Sequence, residues 1–103
     1  MKVQRRVEKE GTVTEDTTWY EKDPFWQLLN QAQGQAARIS ANVGRSLEYG
    51  DVKAGFIVTI DCPQNSPSMD QAAELAFKKA LEYTNDAMSH LAPDVAPIPF
   101  EKP

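Results

Sequence analysis

The sequence predicts an α+β fold: an antiparallel β-hairpin or sheet packed against a long amphipathic C-terminal helix, with a shorter N-terminal helix. Two periodicities carry this prediction. From Val52 to Cys62 the apolar residues recur at every second position, and from Met69 to Leu91 they recur at every third or fourth. The breaks between them agree, with Gly50-Asp51 ahead of the first run, Cys62-Pro63 after it, and Pro93 beyond the second.

Residues 1–18 are polar and charged, with Val3, Val7 and Val13 as their apolar anchors. They form either an edge strand through Val3-Arg5-Val7, turning at Gly11 back through Thr12-Val13-Thr14, or a flexible arm. Lys2, Arg5, Arg6 and Lys9 make this the most basic part of the chain, and Glu8, Glu10, Glu15 and Asp16 offset them. Such a charge run reads as a solvated face.

Trp19-Tyr20 and Phe25-Trp26 place four of the nine aromatic residues within eight positions. A helix is predicted from Asp23-Pro24 to about Ala36, with Asp23 as its cap and Pro24 at its first position. Phe25, Leu28, Leu29 and Ala32 would face the core. Gln27, Asn30, Gln31, Gln33 and Gln35 would form an amide-rich opposite face, read either as solvated or as a contact surface.

The segment from Ala37 to Tyr49 admits two readings. Ile39, Ala41, Val43, Leu47 and Tyr49 alternate with Arg38, Ser40, Asn42, Gly44, Ser46 and Glu48, which suits a strand joined through Gly50-Asp51 to the next one. Phe25, Leu29, Ala32, Ala36, Ile39 and Val43 also recur at helical spacing, which would make one helix from Asp23 to about Leu47. Gly34 and Gly44 would each cost such a helix roughly 1 kcal/mol relative to alanine. The hairpin reading is therefore preferred.

In the following strand Ala54, Phe56, Val58, Ile60 and Cys62 share one face, while Lys53, Gly55, Thr59 and Asp61 share the other. Ile57 alone breaks the alternation. The last helix is predicted to start at a Ser66 cap, with Pro67 in the first turn and Asp70 near the positive end of the dipole. Its stripe comprises Met69, Ala73, Ala76, Phe77, Ala80, Leu81, Thr84, Ala87, Met88 and Leu91. From Ala92 to Pro103 four prolines in twelve residues exclude a helix or a central strand. This tail is predicted to be an extended strap, with Val95, Ile98 and Phe100 docking on the body or on a neighbouring subunit.

At 103 residues the chain is read as a single domain, with net charge −4. That charge argues against a broad polyanion-binding surface. The sequence has no transmembrane-length apolar run and no signal-peptide pattern, so the expectation is a soluble, cytoplasmic protein without a membrane partner. One cysteine, Cys62, excludes an internal disulfide framework and a cysteine-rich zinc site. Its alternation places it on the buried strand face. The only imidazole, His90, falls near a helix C-terminus, where the dipole favours it. Cys62 and His90 are expected at opposite ends of the strand–loop–helix unit, too far apart for a dyad. No phosphate loop, Ca²⁺ loop or selected carboxylate pair appears, so no catalytic residue, metal or cofactor is assigned and the chain is read as a non-enzyme.

From Ser46 to Leu91, SLEYGDVKAGFIVTIDCP followed by AAELAFKKALEYTNDAM resembles small bacteriophage and mobile-element accessory proteins of hairpin-plus-helix type. The resemblance covers less than half the chain and transfers no site residue. It implies a compact, non-enzymatic protein that acts by binding.

Three functions follow as expectations. The first is a phage-type binding protein that blocks, sequesters or modulates a host factor, such as a defence component, with Trp19, Tyr20, Trp26 and Tyr49 as partner contacts. A host protein is the expected partner, with a small ligand as the other option. The second is a single-stranded nucleic-acid binder using Arg38, Arg45 and Lys53, with Trp19 or Tyr49 stacking on bases. Arg45 falls on the apolar face of the predicted hairpin, which weakens that cluster. The third is a structural homo-oligomer built through the helix stripe and the proline-rich tail. Self-association is expected under all three.

Overall fold

The computed structural model describes residues 1–19, 23–31, 35–47 and 52–100, with Gln31 described in its backbone alone. The elements are β1 (Lys2–Lys9), β2 (Thr12–Trp19), α1 (Trp26–Gln31), β3 (Ala36–Leu47), β4 (Val52–Pro63) and α2 (Ser66–Leu91). The four strands form one antiparallel sheet in the order β2-β1-β4-β3. Helix α2 packs along β4 and β3 on one face. The fold is α+β, as the two periodicities predict. No helix among the described residues is long and apolar enough to cross a membrane.

The N-terminal strand is real but not an edge: β1 lies between β2 and β4, and β2 takes the edge position. Lys9 faces Thr12, so Glu10 and Gly11 make a two-residue turn, and both have positive φ, at 52° and 82°. That is the primed turn whose twist matches a hairpin. The charge run is not merely solvated. In the register of this hairpin Arg5 stands opposite Asp16 and Arg6 opposite Glu15. Arg5 is paired with Asp16, and Arg6 Nε lies 3.4 Å from Glu15.

The helix over Asp23 to Ala36 is shorter than its spacing suggests. Asp23 does not cap it, because its carboxylate accepts from the Asp61 N–H at 3.2 Å and lies 2.8 Å from the Met1 ammonium. The Asp23 carbonyl instead accepts from Trp26 N–H at 3.0 Å, and α1 begins there. Phe25 is buried as expected, whereas Leu28 is half exposed. The helical spacing from Phe25 to Val43 gives way to strand because Ala36–Leu47 gains a full twelve-residue ladder with β4. Ala32, Gly34 and the Gly50-Asp51 turn lie outside the described residues.

Helix α2 is capped by Asn65 rather than Ser66. The Asn65 side chain accepts from Ser68 N–H at 3.0 Å, and Ser66 and Pro67 are already helical. Asp70 therefore falls beyond the first turn. The buried face runs through Ser68, Ala72, Ala76, Ala80, Leu81, Thr84 and Met88. Ala73 and Phe77, expected in the stripe, turn outward, and Ala72 replaces them. Three alanines at four-residue spacing let the helix backbone approach β4 closely, where Phe56, Val58, Ile60 and Cys62 project toward it. Thr84 belongs to this buried face, with its hydroxyl 2.7 Å from the Ala80 carbonyl and 3.2 Å from that of Val43. Ala92 closes the helix by donating to Met88 at 2.8 Å, and Pro93 follows.

Candidate functional site

The face of the sheet away from α2 has no helix laid along it among the described residues. Residues directly opposite each other in neighbouring strands share a face, so the register reads this surface as rungs. Trp19, Lys2, Thr59 and Ser40 form one rung, and Thr17, Gln4, Ile57 and Asn42 the next. Glu15, Arg6, Gly55 and Gly44 follow, then Val13, Glu8, Lys53 and Ser46. Asp61 and Arg38 extend the end beyond Trp19.

Most charged groups of this face pair with one another. Ser40 and Thr59 hydroxyls are 2.9 Å apart, and the Lys2 ammonium lies 5.0 Å above the Trp19 ring. Arg38 pairs with Asp61 at 3.1 Å, Lys53 with Glu8 at 3.7 Å, and Arg6 with both Glu15 and Glu8. Lys2, Arg6, Arg38 and Lys53 thus stand against Glu8, Glu15 and Asp61, four cations to three carboxylates. Such a face projects little net field. Its apolar features are Trp19, 69% exposed at one corner, Val13, 43% exposed along the same edge, and half-buried Ile57 at the centre.

The relief comes from glycine. Gly44 and Gly55 face each other across β3 and β4, and a Cβ on either would meet only backbone, at 3.7 to 3.8 Å. No packing demand excludes a side chain there. Two adjoining depressions of about 480 and 580 Å³ share Arg6 and Gly55, and a third of about 370 Å³ reaches Trp19, Lys2 and Arg38.

Of the aromatic residues expected as contacts, Trp19 stands on this face, and Trp26 lies on α1, partly exposed. Tyr20 and Tyr49 lie outside the described residues. The basic residues are not gathered into one cluster. Arg38 and Lys53 share the open face, but the partner of Arg38 is eight residues from Lys53 along β4, roughly 27 Å at strand spacing. Arg45 is on the opposite face and donates to the Ala96 carbonyl at 2.7 Å. The residues that sequence reasoning passed over are the small polar ones, Ser40, Asn42, Thr17 and Gln4, and the glycine pair. Ile57, the one exception to the alternation of β4, was the signal that marked this face.

Elsewhere the reactive groups are separated. Cys62 is fully buried, and burial, with a smaller contribution from the Asp61 charge, pushes its thiol up. His90 is exposed at the far end of α2, its Nδ1 2.8 Å from the Asp86 carbonyl. Among the described residues no group of His, Cys, Asp and Glu could hold a metal ion. The chain matches no protein-family model, no curated protein and no solved structure.

Proposed function

We propose that this chain is a non-enzymatic binding protein that docks another protein on its uncovered sheet face. The role is that of a phage-type accessory protein blocking or modulating a host factor. The observation that carries this reading is the highly exposed Trp19, set at the corner of a four-stranded face whose charges already pair among themselves. An indole exposed on a rigid strand offers large contact area at little entropic cost, which is how interface anchors work.

The partner surface that suits this face is close to neutral and contributes a protruding side chain. An aromatic ring laid over Gly44 and Gly55 would cover bare backbone on both strands, much as rings rescue glycines within sheets. Phosphate recognition instead needs cations free to displace counterions. Here Arg38 and Lys53 are each engaged with a carboxylate and Arg45 faces the tail. That favours a protein over a nucleic acid.

The test is contact mapping by photo-crosslinking from the open face, paired with anisotropy of a labelled single-stranded oligonucleotide at low and physiological salt. The protein reading expects a discrete protein adduct and no oligonucleotide binding. Tight, salt-sensitive oligonucleotide binding would replace it with the nucleic-acid reading.

A further inference from the structure

The last described segment of the chain turns back after α2 and is held by four separate devices. The turn closes through Val95 N–H to the Ala92 carbonyl at 3.0 Å. Arg45, from the outer strand β3, donates to the Ala96 carbonyl at 2.7 Å. The Asn85 side chain of α2 then grips one residue twice: its amide nitrogen donates to the Ile98 carbonyl at 2.8 Å, and its oxygen accepts from Ile98 N–H at 3.0 Å. Finally Phe100 lies against Phe77, with ring centroids 5.8 Å apart. Phe77 is the aromatic residue that the buried face of α2 leaves outside the core.

The two-pronged Asn85 contact repeats the donor–acceptor pair that one strand residue offers its neighbour. It reads main chain rather than side chain, and it needs an extended residue whose N–H and C=O are both free. In APIPF the flanking prolines bias Ala96 and Ile98 to extended backbone and leave Ile98 the one N–H donor between them. The segment therefore arrives nearly preorganised, which lowers the cost of binding. The Arg45 and Asn85 contacts that hold it are exposed at the surface, so it can open without disturbing the buried core.

We infer that the groove between α2 and β3 is a receptor for an extended peptide of the pattern Pro–X–Pro–aromatic, held by its main chain and its aromatic ring, which the chain's own tail occupies as a competing pseudo-ligand. The occupant it serves is such a segment of another protein. A tail tethered by a few residues acts at an effective concentration on the order of millimolar. A foreign segment must outbind it, so the tail sets a threshold. The groove uses the helix side of the molecule and does not depend on the open sheet face.

The test uses the full chain and a labelled peptide of residues 92–100, APDVAPIPF. In an Ile98→Pro/Phe100→Ala chain the tail loses its donor to Asn85 and its ring, and the peptide is expected to bind at least tenfold more tightly than to the original chain. Adding Asn85→Ala to that background removes two hydrogen bonds and is expected to weaken binding roughly tenfold, with the thermal melt of α2 unchanged. A peptide with both prolines replaced by alanine should bind more weakly. Absence of peptide binding to the folded tail-disabled chain, or binding indifferent to Asn85→Ala, would overturn the proposal. A mass that doubles with concentration in the original chain and not in the tail-disabled one would place a second copy's tail in the groove, and would overturn the foreign occupant.

Discussion

Gly44 and Gly55 stand opposite each other on the uncovered face, with only backbone atoms within 4 Å of where either side chain would begin. Glycine in a strand interior weakens the strand, and nothing in the packing requires it here. Gly44→Thr and Gly55→Thr are therefore expected to leave the melting temperature unchanged or raise it, since strand propensities span about 1 kcal/mol. The same substitutions fill the depression and should abolish partner binding. Stability and binding moving in opposite directions is the signature of a surface kept bare for contact, and paired melts and crosslinking yields would show it.

Trp19 and Phe25 separate contact from core. Trp19 is largely exposed, with the Lys2 ammonium over its ring, so Trp19→Ala should cost no more than about 1 kcal/mol while reducing binding at least tenfold. Phe25 is buried in the main core cluster, and Phe25→Ala should cost about 3–5 kcal/mol. Urea titrations of both variants would check the contrast. A broad loss of cooperativity in Trp19→Ala would move that residue from the face into the framework.

Much of the fold was legible in the sequence, and what was missed has physical reasons. The alternation of Val52 to Cys62 fixes which face is buried, because a period of two leaves no freedom once one side meets a helix. The N-terminal hairpin was also written in the charges: Arg5 with Asp16, and Arg6 with Glu15, sit at mirror positions about Glu10-Gly11. Read along the chain they look like a solvated run, and they pair only once the turn is assumed. Asp23 was misassigned as a cap because its partner, the Asp61 N–H, comes from β4, which no local rule can see. Phe77 fits the stripe by its three-and-four spacing, whereas the buried arc through Ala72, Ala76 and Ala80 turns away from it. The candidate face was the least legible part. Small polar residues and glycines carry no motif, and only Ile57 stood out.

The Glu10-Gly11 turn gives a test of the hairpin register. Both residues have positive φ, a conformation that costs an ordinary side chain energy and glycine none. Gly11→Ala should destabilise by about 1 kcal/mol, and Glu10→Asn should stabilise by a few tenths because asparagine tolerates this region. Thermal melts of the two variants, shifted in opposite directions, would confirm the primed turn.

Cys62 predicts an alkaline limb. Its thiol is pushed up, first by burial and then by the Asp61 charge, so the folded chain holds the neutral thiol more firmly than the unfolded chain does. That contribution is complete below the unfolded thiol's pKa and is lost as pH rises toward the folded value. Stability should therefore decline on the alkaline side more steeply in the original chain than in Cys62→Ala. Alkylation by iodoacetamide at neutral pH should be slow and should track unfolding.

The most direct measurement places a benzophenone-bearing residue at Asn42 or Thr17, on the open face, and as a control at Lys78, on the exposed side of α2. The chain is then irradiated inside cells that express it. The account predicts one discrete adduct from Asn42 and Thr17 that resists nuclease, contains a second, different protein, and disappears with Trp19→Ala and Gly55→Thr. Adducts no stronger than those from Lys78, adducts removed by nuclease, or adducts made only of a second copy of this chain would contradict it.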